Sequence, residues 1–145
     1  MKTETPIAEI LLAEDNLMDV TLVREALSEY KVPCVLKVTR DGEEAITLIE
    51  SLDADPESPR LDLLLLDMHL PKRDGGDILK RLRSTGRYAK TPVIVMTGVD
   101  ARALDPEAAS QGPLVYFQKP SSLGEFMKLG SLVRRVLALD PKAAG

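Results

Sequence analysis

The stretch that decides the fold is Leu61-Asp62-Leu63-Leu64-Leu65-Leu66-Asp67. Four consecutive leucines are too few to cross a bilayer, which takes about 20 apolar residues. They are also too short for a free-standing helix. A short apolar run bounded by polar residues suits a strand covered on both faces, as in the middle of a parallel sheet. The run ends abruptly in a carboxylate, Asp67, and loop residues Leu70-Pro71-Lys72-Arg73-Asp74-Gly75 follow.

Similar runs occur on either side, at Glu9–Ala13, Val35–Thr39, Val93–Thr97 and Leu114–Phe117. Between them the apolar residues take helical spacing. The first such stretch has Val20, Val23, Leu27 and Tyr30, the second Ala45, Ile46, Ile49 and Leu52, and the third Ile78, Leu79 and Leu82. The last runs from Leu123 through Phe126, Leu129 and Val133 to Leu137. Strand and helix patterns in alternation predict an α/β fold, a doubly wound (βα)5 sandwich of the flavodoxin-like kind. Its parallel five-stranded sheet is expected in the order 2-1-3-4-5. Val35-Leu36-Lys37-Val38-Thr39 alternates apolar and polar, which suits an edge strand. Between Asp100 and Ser110, Pro106 interrupts a segment poor in large apolar residues, so only one or two helical turns from Asp105 are expected there. Asp53–Arg60 reads as an exposed acidic loop.

Composition narrows the function. The chain has 145 residues, one domain's worth, with the core expected over about 8–138 and no output domain. Nineteen Lys and Arg against 23 Asp and Glu give a net charge of −4, and there is no Trp. Neither a basic stripe nor a stacking platform for nucleic acid is present. One cysteine, Cys34, excludes an internal disulfide and reads as a small apolar filler; one histidine, His69, excludes a His-rich metal site. Met1–Pro6 is polar, with no signal-peptide core, so the expected location is cytoplasmic.

The polar residues fall at strand ends. Glu14-Asp15 closes the first strand, Asp67 the third and Thr97 the fourth, with Lys119 just past the fifth. In an open α/β sheet the carboxyl ends of the strands form the ligand crevice. Three carboxylates brought together repel one another, and a divalent cation relieves that repulsion. Oxygen ligands without Cys or His favour Mg²⁺. A lysine and a threonine hydroxyl suit a phosphoryl group, and a carboxylate can be its acceptor.

On these residues the chain resembles the receiver domain of two-component response regulators. The pieces that carry the resemblance are Ile10-Leu11-Leu12-Ala13-Glu14-Asp15-Asn16, Leu64–Gly75, Val93-Ile94-Val95-Met96-Thr97-Gly98 and Val115-Tyr116-Phe117-Gln118-Lys119-Pro120. The resemblance implies that Asp67 is the phosphoacceptor and that its donor is a phosphohistidine of a histidine kinase. It implies Mg²⁺ held by Glu14, Asp15, Asp67 and the backbone carbonyl of His69. It further implies that Thr97 and Lys119 contact the phosphoryl oxygens, that Tyr116 switches together with Thr97, and that Lys119-Pro120 is a cis peptide. Tyr116 also has a plain reading as a buried core residue.

Within the family the chain looks most like the small regulators paired with bacterial phytochrome-type kinases. The cues are Glu14-Asp15-Asn16 with Asp19-Val20, Arg24-Glu25-Ala26-Leu27, the loop after Asp67 and the acidic loop before the third strand. Leu17 and Met18 are expected to be partly exposed and to meet the kinase's histidine-bearing helices. His69 and Val99 are expected to border the pocket mouth and to set how fast water reaches the acyl phosphate. No nucleic-acid or membrane partner is expected, and a homodimer is compatible with a stand-alone receiver. A competing reading is a pseudo-receiver, an interaction module that is never phosphorylated. Another is a Mg²⁺ phosphatase, against which stands His69 in the place of a second acid.

Overall fold

A computed structural model describes residues 7–98 and 112–139. In chain order the elements are β1 (Ala8–Ala13), α1 (Leu17–Glu29), β2 (Cys34–Thr39), α2 (Gly42–Ala54), β3 (Leu63–Asp67), α3 (Gly75–Ser84), β4 (Val93–Thr97), β5 (Leu114–Gln118), α4 (Leu123–Phe126) and α5 (Lys128–Val136). The strands pair in parallel in the order β2-β1-β3-β4-β5. The expected doubly wound sheet is therefore the observed one, with strand bounds shifted by at most two residues.

Strand parity divides the core. Successive side chains point to opposite faces. Ile10, Leu12, Leu63, Leu65, Ile94 and Met96 pack with α1, α4 and α5 through Val23, Leu27, Phe126 and Leu129. Leu11, Leu64, Leu66, Val93 and Val95 pack on the other side with α2 and α3 through Ile49, Ile78 and Leu82. All four leucines of β3 are fully buried, each worth about 1.5–3 kcal/mol relative to exposure. β2 is an edge, and Val35 and Lys37 on it are exposed.

Parity also aims the acids. Asp67 continues the Leu63–Leu65 face, and Glu14 follows Leu12 on the same side of the sheet, the side that α1 covers. Register keeps them level, because Ala13 pairs with Leu66 one residue before each acid.

Helix starts are capped by short polar side chains. Asn16 accepts from the Asp19 amide at 3.1 Å, Asp41 from Glu44 at 2.7 Å and Asp74 from Asp77 at 3.0 Å. Hydrogen bonding from the Glu44 amide holds the Asp41 carboxyl below its usual range.

Four findings amend the sequence reading. The single C-terminal helix is divided at Met127 into α4 and α5, where the Gly130 amide reaches back only three residues to the Met127 carbonyl, at 3.0 Å. No cis peptide occurs among the described residues; Lys119–Pro120 is trans, the isomer that is lower in energy for X–Pro bonds by about 0.5–1 kcal/mol. The acidic loop starts later, since Asp53 and Ala54 belong to α2, and it is tied down: Arg87 donates to the carbonyls of Leu52, Asp55 and Ser58. Tyr116 is not a core residue but is 42% exposed. The expected short helix after Asp105 and the expectation for Val99 lie outside the described residues.

Candidate functional site

The carboxyl ends of β1, β3, β4 and β5 bring the predicted residues together. Glu14 follows β1 directly and is completely buried, although it is charged in water. Asp15 beside it is exposed. Asp67 ends β3 and is 5% exposed. Carboxylate oxygens of these three residues all lie within 4.8 Å of one another. Such a gathering is unfavourable unless positive charge balances it.

Lys119 supplies one balancing charge. Its backbone amide donates to the Thr97 carbonyl at 2.7 Å, which fixes the residue at the end of β5 against β4. Its ammonium Nζ lies 2.9 Å from Glu14 Oε1, 2.8 Å from Asp19 Oδ2 and 3.6 Å from Asp67 Oδ2. Asp67 Oδ1 accepts from the His69 backbone amide at 3.0 Å, which orients the carboxylate. The Asn16 amide donates to Glu14 Oε2 at 3.2 Å. Thr97 is buried at 2% exposure, at the end of β4 next to Asp67's strand.

Charge states follow from these contacts. Burial pushes the Glu14 carboxyl up to about 7; the Lys119 hydrogen bond pulls it down, and the neighbouring Asp67 pushes it up. Burial alone would lower the Lys119 ammonium, but the hydrogen bonds it donates to Asp19 and Glu14 and the charges of Glu14 and Asp67 outweigh it and the net shift is upward. One lysine thus leaves the three carboxylates short of positive charge. A hard divalent cation fits that donor set: carboxylate oxygens only, two of the three residues buried, with open access on the Asp15 side.

A scan against family models matches the response regulator receiver domain over residues 10–129. The chain belongs to the response regulator receiver domain family. This receiver is 36% identical over 92 residues to the response regulator Rcp1 of Synechocystis sp., a match that covers 63% of each chain. Among solved structures it is similar to the phosphorylated cyanobacterial phytochrome response regulator RcpA, with TM-score 0.77 and 28% identity over 93% of this chain and 97% of that one. It is also similar to the Mn(2+)-bound form of Rcp1, with TM-score 0.74 and 28% identity over 88% and 91%. The chain spans 63% of the first curated relative and 36% and 54% of the next two.

Tyr116 sits in the middle of β5, opposite Val95, whereas Glu14, Asp15, Asp67, His69, Thr97 and Lys119 sit at this end of the sheet. Asp19 is the residue that the sequence reading did not place there. It is the third residue of α1 after the Asn16 cap, so the first helical turn carries it back over the site. The available signal was that spacing: an acid three residues past a cap that itself follows Glu14-Asp15 faces the same end of the sheet. Leu17 and Met18, on the same turn, are 60% and 67% exposed, as expected. No helix among the described residues is long and apolar enough to cross a membrane.

Proposed function

We propose that this receiver accepts a phosphoryl group on Asp67 from a phosphohistidine of a histidine kinase. The observation that carries the reading is the buried Asp67 carboxylate set among Glu14, Asp15 and the Lys119 ammonium at the end of the sheet. An Asp67 oxygen attacks phosphorus, the P–N bond to the donor imidazole breaks, and the imidazole leaves with the electron pair. Glu14, Asp15, Asp67 and the His69 backbone carbonyl are the groups that would hold Mg²⁺, which when bound neutralises charge on the phosphoryl oxygens. The His69 amide fixes the plane of the Asp67 carboxylate. Thr97 donates its hydroxyl to one phosphoryl oxygen and Lys119 pairs with another. Tyr116 turns inward as Thr97 is drawn to the phosphoryl group.

The chain acts as a signalling acceptor, not as an enzyme upon other molecules, and its place is the cytoplasm. Similarity to Rcp1 and RcpA supports a phytochrome-type kinase as donor. Exposed Leu17 and Met18 offer that kinase an apolar contact beside the site. The phosphorylated domain passes its signal by docking, as a homodimer or with another protein, or hands the phosphoryl group on. The test is intact mass after acetyl phosphate with Mg²⁺, for wild type and Asp67→Asn. One added phosphate that needs Mg²⁺ and is absent from Asp67→Asn is expected. No uptake from either acetyl phosphate or a cognate kinase would leave a pseudo-receiver.

A further inference from the structure

Lys119 is shared three ways before any phosphoryl group arrives. Two of its three N–H donors are engaged at hydrogen-bond distance, by Glu14 at 2.9 Å and by Asp19 at 2.8 Å, while Asp67 stands farther off at 3.6 Å. Glu14 is one of the groups that a cation claims. Asp19 is not: it belongs to α1, lies outside the carboxylate trio, and its contact in the site is the lysine. Its side chain is 21% exposed against 0% for Glu14, so it carries its charge at small desolvation cost and holds the lysine firmly.

We infer that Asp19 is a positioning residue that holds the Lys119 ammonium toward α1 and competes with the phosphoryl group for it. This rests on the reading of Asp67 as phosphoacceptor. An anion on Asp67 needs Lys119 as counter-charge. The ammonium then either leaves Asp19 or serves both anions, and each costs free energy that the unmodified state does not bear. Asp19 therefore weakens the modified state through Lys119. Release of Asp19 also frees the first turn of α1, which bears Leu17 and Met18, so occupancy of Asp67 is felt on that exposed surface.

The probe is trifluoroberyllate with Mg²⁺, a reversible phosphoryl mimic, titrated into the full chain and followed by ¹⁹F NMR. Asp19→Asn and Asp19→Ala are expected to bind it roughly tenfold more tightly than wild type, the size of one charge-assisted hydrogen bond. Damage to the fold would weaken binding, so a gain is not the mark of a structural role. The gain must disappear in a Lys119→Met background. A gain that persists there would mean that Asp19 acts only as a repelling charge, and would overturn the inference. Unchanged or weaker binding in both Asp19 variants would overturn it as well. If wild type itself takes up no mimic, the reading of Asp67 fails, and this inference with it.

Discussion

Helix α5 crosses α1 at Gly130, and the crossing leaves no room for a side chain. A Cβ built there falls on the Ala26 carbonyl oxygen, with the Tyr30 ring at 2.5 Å and the Ala26 carbonyl carbon at 3.0 Å. The obstacle is backbone, so Gly130→Ala must push the helices apart and loosen Ala26, Leu27, Leu129 and Val133, all buried at that face. Overpacking of this kind costs about 1–3 kcal/mol, and the better helix propensity of alanine returns at most about 1. A net loss of about 1–2 kcal/mol is expected, a fall in Tm of roughly 3–8 °C for a domain this size. Gly124→Ala is the control. It lies in the neighbouring helix α4 with nothing within 4 Å of the added carbon, so the same substitution should stabilise by about 0.5 kcal/mol. Urea unfolding of the two variants beside wild type measures both. If Gly130→Ala matched or exceeded wild type in midpoint, the close crossing would not be a constraint on this fold.

Arg83 is buried and donates to the carbonyls of Thr91 at 2.6 Å, Pro113 at 2.7 Å and Ala89 at 3.0 Å, so Arg83→Met should cost about 3 kcal/mol in urea unfolding. Arg83→Lys should recover less than half of that loss, because one ammonium cannot span acceptors that a planar fork reaches. Glu14, held at about 7 without metal, binds its proton more tightly folded than unfolded. Its contribution to stability is therefore present below its ordinary value near 4.5 and lost as pH rises through 7. Tm of the metal-free protein should fall from about pH 5 to about pH 8, and Mg²⁺ should raise Tm more at the upper end than at the lower, by differential scanning fluorimetry. Equal stabilisation by Mg²⁺ at both ends would mean that the ion does not meet Glu14.

The sheet was legible because its middle strands leave no ambiguity of period. β1, β3 and β4 are buried on both faces, so each reads as an unbroken apolar run, and β2, open at the edge, reads as an alternation. Where burial and periodicity part company, the reading was coarser. Residues 123–137 repeat their apolar spacing across Met127, and only the backbone reveals the tight turn that divides α4 from α5. The sequence reading does not single out Arg83 in Lys80-Arg81-Leu82-Arg83. Its position four residues after Leu79, on the stripe of Ile78, Leu79 and Leu82, was the sign that it faces inward. Two of its carbonyl partners, Ala89 and Thr91, lie in the loop that follows α3, and the third, Pro113, lies 30 residues on, just before β5; periodicity encodes neither.

The site divides along the same line. Glu14, Asp15, Asp67, Thr97 and Lys119 each sit at a strand end, and in a parallel sheet all strand ends on one side meet. Position in the chain therefore implied position in space. Asp19 sits on a helix, and its place at the site depends on how α1 leaves β1: the Asn16 cap turns the chain so that the first helical turn folds back over Glu14. That turn sets Asp19 2.8 Å from Lys119 and leaves Leu17 and Met18 facing solvent. One short segment, residues 14–19, thus joins a buried acid that needs a counter-charge, the residue that competes for that counter-charge, and the apolar surface beside the entrance. A change in the demand for Lys119 at Asp67 alters the hold on α1 through a single ion pair, with no rearrangement of the sheet required.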